Sequence, residues 1–127
     1  DFPRQLMQSV GVVVEVEEDQ MYAVTATSGS GPAFVLRMAE AMEAAAIAEG
    51  IESGTARVLV QQTILGAALL MRNTGEEPAE LRKAVTSKGG TTAAGLDAMT
   101  TSGFDAAVTA AIRAATARGI ALDQEHG

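Results

Sequence analysis

Residues 58–71 read Val-Leu-Val-Gln-Gln-Thr-Ile-Leu-Gly-Ala-Ala-Leu-Leu-Met, and polar side chains interrupt the run only at Gln61, Gln62 and Thr63. Flanking residues with helical spacing extend it from Ser53 to about Thr74, ahead of Gly75. A helix that is apolar on nearly every side has to be covered on every side. The whole chain has 127 residues, and once the other helices are placed too little of it is left to do that. A second copy is expected to supply the missing cover, as an intimate homodimer. The bilayer alternative is set aside, because the apolar run is short and broken by polar residues. Aromatic residues are only 3% of the chain against 47% hydrophobic, so the core is aliphatic and alanine lets helices approach closely. A net charge of −7 argues against nucleic acid and against an anionic membrane surface. No cysteine is present, and the one histidine, His126, sits in a tail with no partner residues at metal-ligand spacing, so no metal is expected.

The organisation along the chain is uneven. Leu6, Met7 and Val10 suggest the last turns of a helix closed by Gly11, and residues 12–17, Val-Val-Val-Glu-Val-Glu, read as a strand. One strand has nothing to pair with, which makes residues 1–17 look like the edge of a neighbouring α/β domain. The absence of an initiator methionine and of a signal peptide fits a fragment or a processed product of a soluble protein. From Glu18 onward the pattern is helix and turn. Residues 28–31 break or kink the first helix, Pro32 fits the start of the next, and Gly50, Gly75, Gly103 and Gly119 punctuate the rest. The fold class is therefore an all-α multi-helix bundle over residues 18–119, followed by a tail at 120–127.

Two segments could carry chemistry. Thr86-Ser87-Lys88-Gly89-Gly90-Thr91-Thr92 places two glycines and four hydroxyls ahead of a helix expected from Ala93 to Thr101. Such a loop presents free amides and the positive end of a helix dipole, a small anion site with hydroxyls to orient what binds. The plainer alternative is a glycine turn with Thr91 or Thr92 as an N-cap. Arg82, Lys83 and Lys88 add local positive charge, although Arg82 and Lys83 also suit a solvated helix face. Ser28-Gly29-Ser30-Gly31 lacks the third glycine, the preceding strand and the distant acid of a dinucleotide fingerprint. It is a helix-breaking cap or the second wall of a site. No nucleophile stands beside a base, so any chemistry here rests on positioning, with a cofactor supplying the hard step.

Taken in order, residues 23–35, Gln61-Gln62-Thr63-Ile64-Leu65-Gly66-Ala67, Thr74-Gly75-Glu76-Glu77-Pro78 with Leu81, residues 85–92 and Gly103-Phe104 resemble pyrroline-5-carboxylate reductase, in its C-terminal half. The resemblance implies an enzyme that reduces 1-pyrroline-5-carboxylate to L-proline with NADPH or NADH, the last step of proline biosynthesis, in the cytoplasm. It implies an interlocked helical dimer, like the C-terminal domain of 6-phosphogluconate dehydrogenase, with further assembly of dimers in many members. Residues 1–17 then correspond to the last helix and strand of the dinucleotide-binding domain, and the chain alone is expected to be inactive. Carried over, Ser87, Lys88, Gly89, Gly90, Thr91 and Thr92 hold the substrate, with Val85 lining the pocket. Thr92 is the catalytic candidate, its hydroxyl on the ring nitrogen. Ser28, Gly29, Ser30 and Gly31 lie on the nicotinamide side. Lys88 departs from the proline usual in the family, adding a charge beside the carboxylate. A reductase-like paralogue with a regulatory role, or a module for oligomerisation only, are the rival expectations.

Overall fold

The computed structural model describes residues 2–9 and 11–126. Seven α-helices follow one another: α1 (Phe2–Gln8), α2 (Met21–Val24), α3 (Gly31–Ala48), α4 (Ser53–Thr74), α5 (Pro78–Ala84), α6 (Thr91–Thr101) and α7 (Phe104–His126). A short 3-10 turn, Glu18–Gln20, leads into α2, and a π-helical turn, Thr25–Gly29, joins α2 to α3. Helices α3 and α4 pack as a pair, α2 and the π turn lie along α7, and α6 leans on α7 across the turn at Gly103. Small residues make the closest contacts: Ala56 of α4 and Ala26 of the π turn are buried, with Val60 and Leu81 beside them.

Several boundaries differ from expectation, each for a local reason. Residues 12–17 form no strand: among the described residues no backbone ladder pairs with them, and Val12 stands 95% exposed. Helix α1 stops at Gln8, with the Ser9 amide donating to the Gln5 and Leu6 carbonyls, so Gly11 lies too far on to be its cap. Val10 lies outside the described residues. Residues 28–31 do not break the helix outright. The chain stays helical through them, because Ser30 keeps right-handed helical angles and its amide reaches five residues back to the Thr25 carbonyl, 2.9 Å. Ser30 is the cap of α3, and Pro32 sits in its first turn, where no amide is needed.

Helix α4 begins at Ser53, yet its cap is Glu52. That carboxylate accepts the Gly54 amide at 3.0 Å and the Thr55 amide at 3.1 Å. At the far end Gly75 adopts a left-handed φ of 68° and its amide bonds the Met71 carbonyl, the expected glycine stop. By length and composition alone, α4 as a whole, at 22 residues, is long and apolar enough to cross a membrane, although the apolar run inside it, residues 58–71, is shorter.

Helix α7 does not end at Gly119. It runs on to His126, so residues 120–126 are helical rather than a tail, and Gly127 lies outside the described residues. The reason is packing. The Tyr22 ring of α2 lies against this stretch of α7, 3.4 Å from where a β-carbon on Gly119 would stand, a close but ordinary contact.

Taken alone, one copy leaves much apolar surface open. Its accessible surface is 9986 Å², whereas a compact monomer of 13.0 kDa has about 6,300 Å². Leu36, Val58, Leu59 and Leu65 on α3 and α4 are all at least half exposed.

Candidate functional site

The glycine loop between α5 and α6 is built from a tight turn. The Gly90 amide donates to the Ser87 carbonyl at 3.1 Å, and Gly89 between them has a φ of 73°. No non-glycine residue takes a positive φ among the described residues, so the turn is type II, with Lys88 and Gly89 at its centre. Type II demands glycine at the third position and favours proline at the second without requiring it. Lys88 therefore fits the turn without strain. Gly90 is held for a different reason: a β-carbon there would lie 3.3 Å from the Ser87 carbonyl oxygen.

Gly90, not Thr91 or Thr92, is the N-cap of α6, and no side chain caps the helix. The first intrahelical acceptor, the Gly90 carbonyl, serves Ala94. The amides of Thr91, Thr92 and Ala93 thus point out of the helix end with no helical partner. The hydroxyls of Ser87, Thr91 and Thr92 have no bonding partner within the chain among the described residues, and all three residues are exposed. Thr86 differs: its hydroxyl donates to the Arg82 carbonyl at 2.6 Å. Lys83 pairs with Glu80 at 3.3 Å, which removes it from the loop's charge balance, while Lys88 keeps its charge unpaired among the described residues. Val85 is 63% exposed and lines a groove of about 230 Å³ with Leu70, Met71, Pro78 and Leu81. Outward-facing amides, three hydroxyls without partners and the Arg82 and Lys88 side chains, neither in an ion pair among the described residues, are groups that can hold a small carboxylate. They offer no group able to take a proton from a carbon.

The second segment is arranged otherwise. Thr27 and Ser28 hydroxyls donate back to the Ala23 and Val24 carbonyls, at 2.8 and 2.9 Å, within the π turn. Ser28 and Gly29 are exposed, Ser30 and Gly31 half-buried. Beside Ser28 opens an apolar groove of about 460 Å³ lined by Val14, Val16, Gln20, Ala23 and Val24. No cation lines it, so it suits a flat, uncharged ring and not a diphosphate. In one copy the π turn lies on α7 and α3 while α6 lies on α7, so the two segments are not packed against each other.

One contact was not foreseen from sequence. The hydroxyl of Tyr22, at the start of α2, donates to the Asp123 carboxylate near the end of α7, across 101 residues. That bond raises the tyrosine pKa above its ordinary value, with the nearby Asp123 and Glu18 charges acting the same way. The only available signal was that the chain has a single tyrosine.

The pyrroline-5-carboxylate reductase dimerisation profile matches residues 18–122. Pyrroline-5-carboxylate reductase 2 of Bacillus subtilis is 41% identical over 122 residues, covering 96% of this chain and 44% of that relative. The Haemophilus influenzae pyrroline-5-carboxylate reductase is 52% identical over 97 residues, 75% of this chain and 36% of its own length. Among solved structures, a pyrroline-5-carboxylate reductase from Coxiella burnetii superposes with a TM-score of 0.89 at 35% identity, over 95% of this chain and 45% of that one. The Plasmodium falciparum pyrroline carboxylate reductase with NADP bound superposes at 0.81 and 30% identity, over 92% and 46%. The chain spans less than half the length of these relatives. With the profile running from the 3-10 turn before α2 to the last turns of α7, this chain belongs to the pyrroline-5-carboxylate reductase dimerisation family.

Proposed function

We propose that this chain is the dimerisation and substrate-binding part of a cytoplasmic pyrroline-5-carboxylate reductase, which forms L-proline. The observation that carries the reading is the uncapped start of α6 behind the type II turn, inside a family match that covers residues 18–122. Residues 1–17 belong with a dinucleotide-binding part. The open apolar faces of α3 and α4 are covered by a second copy rather than by lipid, and dimers can associate further.

In this reading the amides of Thr91, Thr92 and Ala93 and the Lys88 ammonium hold the substrate carboxylate. Ser87, Gly89 and Gly90 shape the cradle, Val85 borders it, and the Thr92 hydroxyl meets the ring nitrogen. Ser28, Gly29, Ser30 and Gly31 and the apolar groove beside them fit the nicotinamide end of NADPH or NADH, and leave the phosphates to other residues. The bound dinucleotide supplies the hydride. A protonated cyclic imine is already electrophilic, so these residues need only align its carbon and exclude alternatives, and alignment alone is worth roughly 7–11 kcal/mol. The isolated chain is inactive.

The test uses the longer reductase that carries this segment, assayed for pyrroline-5-carboxylate-dependent NADPH oxidation. Thr92→Val is expected to lower kcat/KM by about 1–3 kcal/mol of lost hydrogen bonding, roughly five- to a hundredfold. Unchanged turnover would remove Thr92 from the reaction. Wild-type protein without activity on this substrate would overturn the proposal.

A further inference from the structure

Among the described residues, the side-chain hydrogen bond between Tyr22 and Asp123 has no part in the proposed chemistry, and it joins two elements that the site depends on. Tyr22 is the second residue of α2, a single turn of four residues that continues directly into the π turn carrying Ser28. Its ring lies on the bare backbone at Gly119 and its hydroxyl donates to Asp123, one helical turn further along α7. The π turn itself rests on the same helix, and Ala26 is buried there at 1% exposure. A π turn is a local irregularity in an α-helical path, held from within here by the Ser30 amide and the Thr27 and Ser28 hydroxyls. Packing from outside adds to that hold. Tyr22 supplies that packing on the face turned to α7, while the apolar groove opens along Gln20, Ala23, Val24, Thr27 and Ser28.

We infer that Tyr22, seated on Gly119 and bonded to Asp123, is a positioning residue that fixes the π turn on α7 and so sets where Ser28, Gly29, Ser30 and Gly31 stand. The clasp acts through the backbone of α2 and touches no reacting atom. Its consequence for the reductase rests on the proposed function, while its effect on the π turn does not.

Two arms separate these. In the first, hydrogen exchange is followed on the 127-residue chain with Tyr22→Phe, which keeps the ring, and with Asp123→Asn, which keeps an acceptor. Exchange at residues 25–31 is expected to quicken by roughly three- to tenfold in Tyr22→Phe and to stay near wild type in Asp123→Asn. No change at residues 25–31, or an equal change in every helix, overturns the clasp. The tyrosine is alone and the chain has no tryptophan, so tyrosinate absorbance reads the same bond directly. Its alkaline titration falls back toward the ordinary tyrosine value in Asp123→Ala if the bond is present, and stays put if it is not.

In the second arm the longer reductase carries Tyr22→Phe. KM for the nicotinamide cofactor is expected to rise several-fold with KM for pyrroline-5-carboxylate unchanged, whereas Asp123→Asn alone, which keeps an acceptor for the Tyr22 hydroxyl, leaves both near wild type. Kinetics identical to wild type, with exchange altered as above, would make the clasp structural only and overturn the positioning role. An inactive wild type would instead overturn the proposed function, leaving the exchange arm to decide the clasp.

Discussion

At the scale of single residues, the loop before α6 is specified by two adjacent glycines that are needed for different reasons. Gly89 has open space where a β-carbon would go, but a φ of 73°. Gly90 has an ordinary backbone and a crowded β position, 3.3 Å from the Ser87 carbonyl oxygen. Replacing Gly89 with alanine is therefore a purely conformational change, expected to cost about 1–2 kcal/mol. D-alanine at the same position, introduced by semisynthesis, should cost almost nothing, because its mirror-image preference matches the turn. Urea unfolding of both variants tests this, and equal midpoints for the L and D forms would mean the turn is not left-handed. The sequence already signalled a turn here, since Gly-Gly with flanking hydroxyls says little else. What it did not reveal is that Gly90 would be the cap. A cap is decided by backbone angles at one residue, and Thr91 and Thr92 satisfy the composition rule for a cap equally well. The same geometry explains why Lys88 is tolerated: the second position of a type II turn favours proline for its φ, but any L-residue reaches that φ.

At the scale of elements, helix existence was legible and helix ends were not. The aliphatic spacing of α3, α4 and α7 sufficed to place them, because 3.6-residue periodicity survives whatever the tertiary context. Ends depend on contacts between distant residues. Gly119 looked like a terminator, yet α7 runs on past it with Tyr22 against it, and residues 12–17 looked like a strand although none of the described residues pairs with them as one. The start of α4 shows the same gap on a smaller scale. The expected start at Ser53 holds, but the cap is the Glu52 side chain, which reaches two amides and the Thr55 hydroxyl at once. The Gly54 and Thr55 amide bonds, followed by the Thr55 hydroxyl bond, hold the Glu52 carboxyl below its ordinary value. A carboxylate whose pKa is depressed by folding stabilises the fold above its unfolded pKa, and that contribution is lost as pH falls through the folded value. Glu52→Ala should therefore lower the melting temperature at neutral pH, with the gap to wild type narrowing at about pH 3. Thermal melts at the two pH values decide it. A gap that is constant or wider in acid would show that the carboxylate charge does not cap α4.

At the scale of the whole molecule, the deciding quantity is area. One copy exposes 9986 Å², about 3,600 Å² more than a compact protein of its mass. Even if half of that excess stayed in solvent, two copies would bury well over 3,000 Å² together, within the range of obligate homodimers and above the standard 1,600 Å². The exposed apolar side chains include Leu36 on α3 and Val58, Leu59 and Leu65 on α4, two helices whose buried residues are Ala56 and Val60 alone among the described residues. This is the arrangement expected when the cores of two chains are shared, and it gives a different prediction from a stable monomer with a sticky patch. A shared core makes folding and association one transition, so the melting temperature should rise with protein concentration. Sedimentation should give the mass of two chains or a multiple, each chain being 13.0 kDa. Leu65→Glu places a charge in the proposed seam. It should yield an unfolded or molten chain rather than a folded monomer, because no single copy has enough core to stand alone. A wild type that sediments as one chain and melts cooperatively at a concentration-independent temperature would refute the shared core. The covered-helix argument that began from residues 58–71 would fall with it.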